Sequence, residues 1–307
     1  MSKLHINFMG VRRIFFMVSG AMVVASVIAL ATVGLNFGVE FQGGTVATFG
    51  ASEGVTVESV RDALVAADVV DAQNATIQQT DNGGFIVRAA EKDIAVAEQA
   101  MLAVADTLGL AQEDLNVTTI GAGWGANVTR AALIALVVSL IGVLIYVSIR
   151  FEYKMSFTAI IALVHDTVIV LGIYALAGRE VTPNTIAALL TILGYSLYDT
   201  IVVFHRIREN TMNVGKRSFM EMANDSINQV FMRWVNTAMT QIIPVVCLLF
   251  FGGETLRDFA FAMTFGLISS AYSSIALASP LYAIWKEREP RYQALKKKYE
   301  GRVAKAS

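Results

Sequence analysis

The chain has 307 residues, 55% hydrophobic and 16% charged, with a mean hydropathy of +0.57. Soluble domains carry about 25% charged residues, so these values exclude a water-soluble enzyme built on one packed core. Formal net charge is −1, from 24 Lys+Arg against 25 Asp+Glu, and a single cysteine, Cys247, leaves no intramolecular disulfide and no cysteine-cluster zinc site.

Such a chain is counted in membrane spans. Residues 14–39 lie uncharged between Arg13 and Glu40, long enough for a ~30 Å hydrocarbon core, which takes roughly 20 apolar residues. The apolar stretch is too long for a cleaved signal peptide, and no small-residue cleavage pattern stands out. Residues 1–35 therefore read as a short N-terminus and a first span.

Residues 36–126 change character. They carry 13 acidic and 3 basic residues, net −10. Residues 45–49 read as a strand. Residues 57–67 read as a helix capped by Thr56, with Val57, Val60, Leu64 and Ala67 on one face. A strand at 75–79, a turn at Asp81-Asn82-Gly83-Gly84 and a strand at 85–89 make a hairpin. A helix over 93–108 and a strand over 114–120 complete a β-α-β-β-α-β order, the ferredoxin-like plan. That plan serves many roles and names none. Gly121, Gly123 and Gly125 form a candidate hinge. They are not a phosphate loop, because no Lys-Ser/Thr pair follows.

Five more spans fill residues 127–285. Windows 131–149, 234–253 and 259–285 are free of charge. Window 155–178 is apolar apart from His165 and Asp166, and 181–204 apart from Asp199. Lys and Arg gather in the N-terminus, the 150–154 turn, the loop assigned to 205–232 and the basic tail at 286–307, all on one side of a six-span chain. The positive-inside rule then makes both termini cytoplasmic, and the tail's lysines suit lipid headgroups.

Ionisable groups inside spans are costly and mark ion paths or helix contacts. Asp199 is the leading candidate, with Tyr195, Ser196 and Tyr198 around it. Thr182-Pro183 makes a good helix start, which puts Asp199 about 24 Å down the helix. Arg233 opens the fifth window at the cytoplasmic edge, from where a long side chain can snorkel to Asp199. Asp166 and His165 read either as a helix-bridging pair or as secondary members of the path. Gly194 is expected to permit close helix packing. His5, His165 and His205 are too scattered for a metal site, and no residues suggest a cofactor.

The run from Leu190 to Asn210, containing Gly194-Tyr195-Ser196-Leu197-Tyr198-Asp199-Thr200, resembles the fourth-span signature of the SecF family of the bacterial Sec translocase. Gly38-Val39-Glu40-Phe41-Gln42-Gly43-Gly44-Thr45 is similar to the family's Gly-Gly motif, His165-Asp166-Thr167 to its third span, and Ser226-Ile227-Asn228-Gln229 followed by Arg233 to the start of its fifth. The chain departs at Tyr198, usually Asn, at His205, usually acidic, and at Glu40, usually Asp.

The resemblance implies an RND-type membrane part with six helices and a ferredoxin-like periplasmic domain, in the bacterial inner membrane. It implies a subunit that joins SecD, the SecYEG channel and the motor SecA and uses the proton gradient to move unfolded preproteins. Proton transfer then falls to Asp199 and Arg233. Two other readings stay open: a small-molecule exporter of the RND superfamily, and a purely structural assembly subunit. No nucleophile–base pair or nucleotide loop is legible, so a transport subunit is expected rather than an enzyme, with no nucleic-acid partner.

Overall fold

The computed structural model describes residues 5–50, 54–80, 83–212, 214 and 217–303. Most of the described chain is helical, and six helices are long and apolar enough to cross a membrane: Arg12–Thr32, Gly123–Arg150, Tyr153–Ala177, Pro183–Thr211, Phe219–Phe251 and Leu256–Glu287. They are called the first to sixth spans below.

Helix ends differ from the charge-free windows where other chemistry decides. The first span stops at Thr32, and the backbone turns at Gly34 (φ 78°). The fourth runs on to Thr211, and the fifth begins at Phe219. Most of the expected 205–232 loop is therefore helix. Charge-free windows measure only the hydrocarbon-compatible part of a helix, and polar residues continue it beyond. Ser218 fixes the start of the fifth span by a capping box with Glu221, each side chain bonding the other's backbone N–H. The basic tail is also ordered as a helix, Pro290–Val303.

The chain divides into two compact units, residues 1–36, 136–179 and 184–307 in one, and 37–135 with 180–183 in the other. In the first unit the third, fourth and sixth spans supply most of the buried surface. Gly172 meets Ser26 and Gly266 meets Ile192 so closely that a Cβ at either glycine would overlap a side chain, which is how small residues bring spans together. At one end, Phe204, Phe219, Tyr282 and Tyr292 pack as a chain of rings within an apolar cluster. The segment before the first span is tied to the fifth: Asn228 exchanges hydrogen bonds with the Ile6 backbone (2.8 Å each way), and Asn224 accepts from Met9 N (3.2 Å).

The second unit holds a four-stranded antiparallel sheet. Its strands are Gly44–Phe49, Thr76–Gln79, Phe85–Ala89 and Asn116–Ile120, and Gly44–Phe49 pairs with both of the last two. Thr76–Gln79 lies at the edge, beside Phe85–Ala89. Helices Val57–Ala66 and Ile94–Leu108 bring Val60, Leu64, Met101 and Val104 against Ala47, Phe49, Phe85 and Val87. Thr56 and Asp93 cap them as their spacing requires. Asp81 and Asn82 of the expected turn lie outside the described residues. The adjoining Gly83 has φ 80°, and Thr80 N donates to Gly84 O at 2.8 Å.

The glycine pair Gly43-Gly44 starts the sheet for a steric reason. Gly43 ends the one-turn helix Val39–Gln42 at φ 76°, and Gly44 sits at φ 143° with the Ala89 carbonyl where a Cβ would stand. Side chains resist both conditions. Gly123 and Gly125 lie inside the helix Ala122–Arg150 and not in a loose joint. At Gly125 a Cβ would come within 2.6 Å of the Phe41 carbonyl oxygen. Close backbone approach is what this position demands, and only Gly121 precedes the helix.

Candidate functional site

The fourth span presents two different faces. Thr191, Gly194, Tyr195 and Tyr198 recur at helical spacing along an open groove of about 530 Å³, with Thr237 and Gln241 of the fifth span opposite. Nothing stands within 4 Å of the Cβ position at Gly194, so within this chain it widens the groove and packs against no helix. Ile192, Ser196, Asp199, Thr200 and Val203 form the buried face.

Asp199 is 4% exposed. No hydrogen bond or ion pair reaches its carboxylate among the described residues. Its neighbour on the same face, Thr200, shares a 3.0 Å hydrogen bond with Ser274 of the sixth span. A carboxylate so placed has two ways to lower its energy: to take a proton or to meet a cation.

Arg233 is the cation paired with Asp199 on sequence grounds, and it stands elsewhere than expected. The fifth span begins at Phe219, so Arg233 lies about 21 Å along it and not at its edge. It needs no snorkelling to reach this depth. Its Nη2 donates to Tyr198 Oη at 3.5 Å, and among the described residues it makes no ion pair with Asp199. Further along the same two helices, Arg206 Nε and Asn210 Nδ2 both donate to Gln229 Oε1 (2.5 and 3.0 Å).

Asp166 is the opposite of Asp199. Ser196 and Ser273 donate to its Oδ2 at 2.7 and 2.8 Å, Ser269 donates to its Oδ1 at 2.7 Å, and His165 Nδ1 lies 3.1 Å from Oδ1. The third, fourth and sixth spans thus meet at one carboxylate, 1% exposed. His165 stacks on Tyr272 at 6.3 Å, and Tyr272 Oη donates to the Phe15 carbonyl at 2.9 Å. The sixth span follows with a π-helical segment, Ser274–Ala278, a local widening that recurs at functional sites.

The structure therefore brings together Asp166, His165 and the sixth-span serines. It sets Tyr195 and Tyr198 along one groove, with Arg233 bonded to Tyr198 from a neighbouring cavity that it shares with His205, Arg206 and Gln229. Ser269 and Ser273 were not singled out from the sequence, although their four-residue spacing in a charge-free window was a readable signal. Among the described residues no cluster of three or more His, Cys, Asp or Glu could hold a metal ion.

Residues 100–288 match the protein export membrane protein SecD/SecF C-terminal family, and residues 28–55 match the SecD/SecF GG motif. A protein translocase subunit SecF of Streptomyces coelicolor is 37% identical over 95% of this chain and 80% of its own length. One from Desulfurispirillum indicum is 36% identical over 96% and 97%. The crystal structure of a SecDF, a translocon-associated membrane protein from Thermus thermophilus, superposes with a TM-score of 0.84 at 36% identity, over 92% of this chain and 39% of that one. A second SecDF structure, in a super-membrane-facing form, gives a TM-score of 0.68 at 35% identity over 95% and 40%. With the Gly43-Gly44 turn, six apolar helices and these matches together, the chain belongs to the SecD/SecF family of protein export membrane proteins, among relatives that are SecF subunits of the protein translocase.

Proposed function

We propose that this chain acts with SecD in the bacterial inner membrane, using the proton motive force to promote preprotein passage through SecYEG alongside SecA. In this reading both termini are cytoplasmic, and the sheet unit is a ferredoxin-like periplasmic domain. The observation that carries it is the state of Asp199: buried, without a donor among the described residues, and one residue from the tyrosine that holds Arg233. Protonated, Asp199 carries no charge and avoids the large cost of an unpaired buried ion. Ionised, it calls for Arg233, which must leave Tyr198 to reach it. Two arrangements with different proton occupancy are what coupling to a motion requires. The exposed groove edge with Tyr195 and Tyr198 is the face on which SecD would complete the path.

The test is export into membrane vesicles with and without an imposed proton gradient. Asp199→Asn keeps size and hydrogen bonding but removes ionisation. At normal levels of this chain and of SecD, it should abolish the gradient-dependent part of export and spare the ATP-driven part. Arg233→Met should do the same, and the double variant should be little worse than either, since both act in one step. A full gradient response from Asp199→Asn vesicles would leave a structural subunit as the better reading.

A further inference from the structure

A second polar site lies away from Asp199, where the ends of three membrane helices meet the C-terminal helix. Arg12 begins the first span, Met220 lies in the first turn of the fifth, and Glu287 ends the sixth. Together with Arg288 and Lys297 they line a cavity of about 580 Å³. Ile284 and Met220 form its apolar part. Lys296 also lines it and pairs with Glu287 Oε2 at 3.0 Å. Once that pair is set aside, Arg12, Arg288 and Lys297 leave the cavity strongly cationic.

Glu287 supplies the second observation. It is 7% exposed, and its Oε1 is buried with no hydrogen-bond partner among the described residues. An unmet carboxylate oxygen in an interior is expensive. A plain anion would satisfy the cations and leave Oε1 unmet or repelled. A ligand that carries a negative group and, a few bonds away, an O–H or N–H donor satisfies both.

We infer that this cavity binds one phospholipid, its phosphate held by Arg12, Arg288 and Lys297 and a donor of its headgroup given to Glu287 Oε1. The position agrees with this: it lies at the ends of membrane-spanning helices, where headgroups stand, and basic pockets between such ends suit anionic lipids. Met220 and Ile284 face the start of the acyl chains. Among common headgroups, phosphatidylglycerol brings the phosphate and a hydroxyl donor. Phosphatidylcholine brings the phosphate without any N–H or O–H. The inference rests on the six helices crossing the membrane and is independent of proton transfer at Asp199.

The full chain in detergent, titrated with phosphatidylglycerol, phosphatidylcholine or inorganic phosphate and read by native mass spectrometry, tests this. Phosphatidylglycerol should bind at about one copy and at least tenfold more tightly than phosphatidylcholine, and inorganic phosphate should not displace it at equal concentration. Arg288→Gln with Lys297→Gln should weaken phosphatidylglycerol at least tenfold. Lys298→Gln removes one charge from the same helix outside the cavity and should change little. Glu287→Gln should narrow the preference over phosphatidylcholine. Arg288 and Lys297 are exposed, so their replacement does not threaten folding, and this pair carries the test even where Arg12→Gln fails to fold. Equal losses from Lys298→Gln would reduce the site to diffuse charge and overturn the inference. So would equal binding of phosphatidylcholine, or displacement by free phosphate.

Discussion

Arg233 is bonded to Tyr198 and not to Asp199: its Nη2 donates to Tyr198 Oη at 3.5 Å, one residue before the buried carboxylate. In the proposed mechanism the tyrosine hydroxyl competes with ionised Asp199 for the same guanidinium. Tyr198→Phe removes this competitor and leaves the ring in the groove. A hydrogen bond of this kind is worth about 1 kcal/mol, roughly a fivefold shift between two arrangements. The expected result is gradient-driven export changed about fivefold, against complete loss for Asp199→Asn. An unaltered response would show that the contact plays no part.

Asp166 has four hydrogen-bonding partners and Asp199 has none among the described residues, a contrast the sequence did not hold. Both are single carboxylates in apolar windows. What separates them is the sixth span: Ser269 and Ser273 are a hundred residues from Asp166 and reach it only through helix packing. The sheet unit was far more legible, because Thr56, Asp93 and the alternation in 45–49 and 85–89 act within a few residues. The fifth span was misplaced by some fifteen residues for a similar reason. Arg233 and the charges before it end a hydrophobic window, while the capping box at Ser218 and Glu221, not hydropathy, starts the helix.

Replacing Asp166 should therefore affect stability before transport. Asp166→Ala takes the acceptor from the buried Ser196 and Ser269 hydroxyls and leaves Ser273 only its longer bond to the Ser270 carbonyl (3.3 Å), and each unsatisfied group costs about 1–3 kcal/mol. Asp166→Asn should cost less, since its oxygen still accepts and the serine hydroxyls can rotate to accept from its amide. The check is the midpoint of thermal unfolding in detergent, expected in the order wild type, Asn, Ala. An Asp166→Ala protein as stable as wild type would refute the bracing role.

Glu289 gives a pH dependence outside the spans. Its Oε1 accepts from Lys154 Nζ at 2.8 Å and lies 3.0 Å from Lys286 Nζ, while Lys286 also bonds Glu152 at 2.8 Å. Partial burial alone would raise the Glu289 carboxyl, but the two ammonium groups hold it below its ordinary value of about 4.5. The stabilisation is complete above about 4.5 and is lost as pH falls through the lower folded value. Amide exchange in the helix Pro290–Val303 should then accelerate below that value, beyond the intrinsic pH effect, in wild type. Glu289→Gln should show the faster exchange already at pH 7, and no further acid step from this residue. Identical protection in the two proteins at pH 7 would show that the helix is held by other contacts.

Gly121, Gly123 and Gly125 separate hinge from close packing, because the three differ in what an added methyl meets. Nothing lies within 4 Å of the Cβ position at Gly121 or Gly123, whereas at Gly125 the Phe41 carbonyl oxygen lies 2.6 Å away and Gly43 N 3.1 Å away. Backbone atoms cannot rotate aside as a side chain can. Gly123→Ala, inside a helix and unobstructed, should be neutral or stabilising by about 0.4–1 kcal/mol. Gly125→Ala should destabilise by about 1–3 kcal/mol through overpacking and disturb the turn at Gly43-Gly44 that starts the sheet. Gly121→Ala tests the remaining joint: with the fold intact, reduced gradient-driven export would point to a need for backbone freedom there. The measurements are unfolding midpoints for all three proteins, paired with export in vesicles. Should all three alanine variants keep wild-type stability and lose export equally, the segment works as a flexible hinge and the contact with Phe41 is incidental.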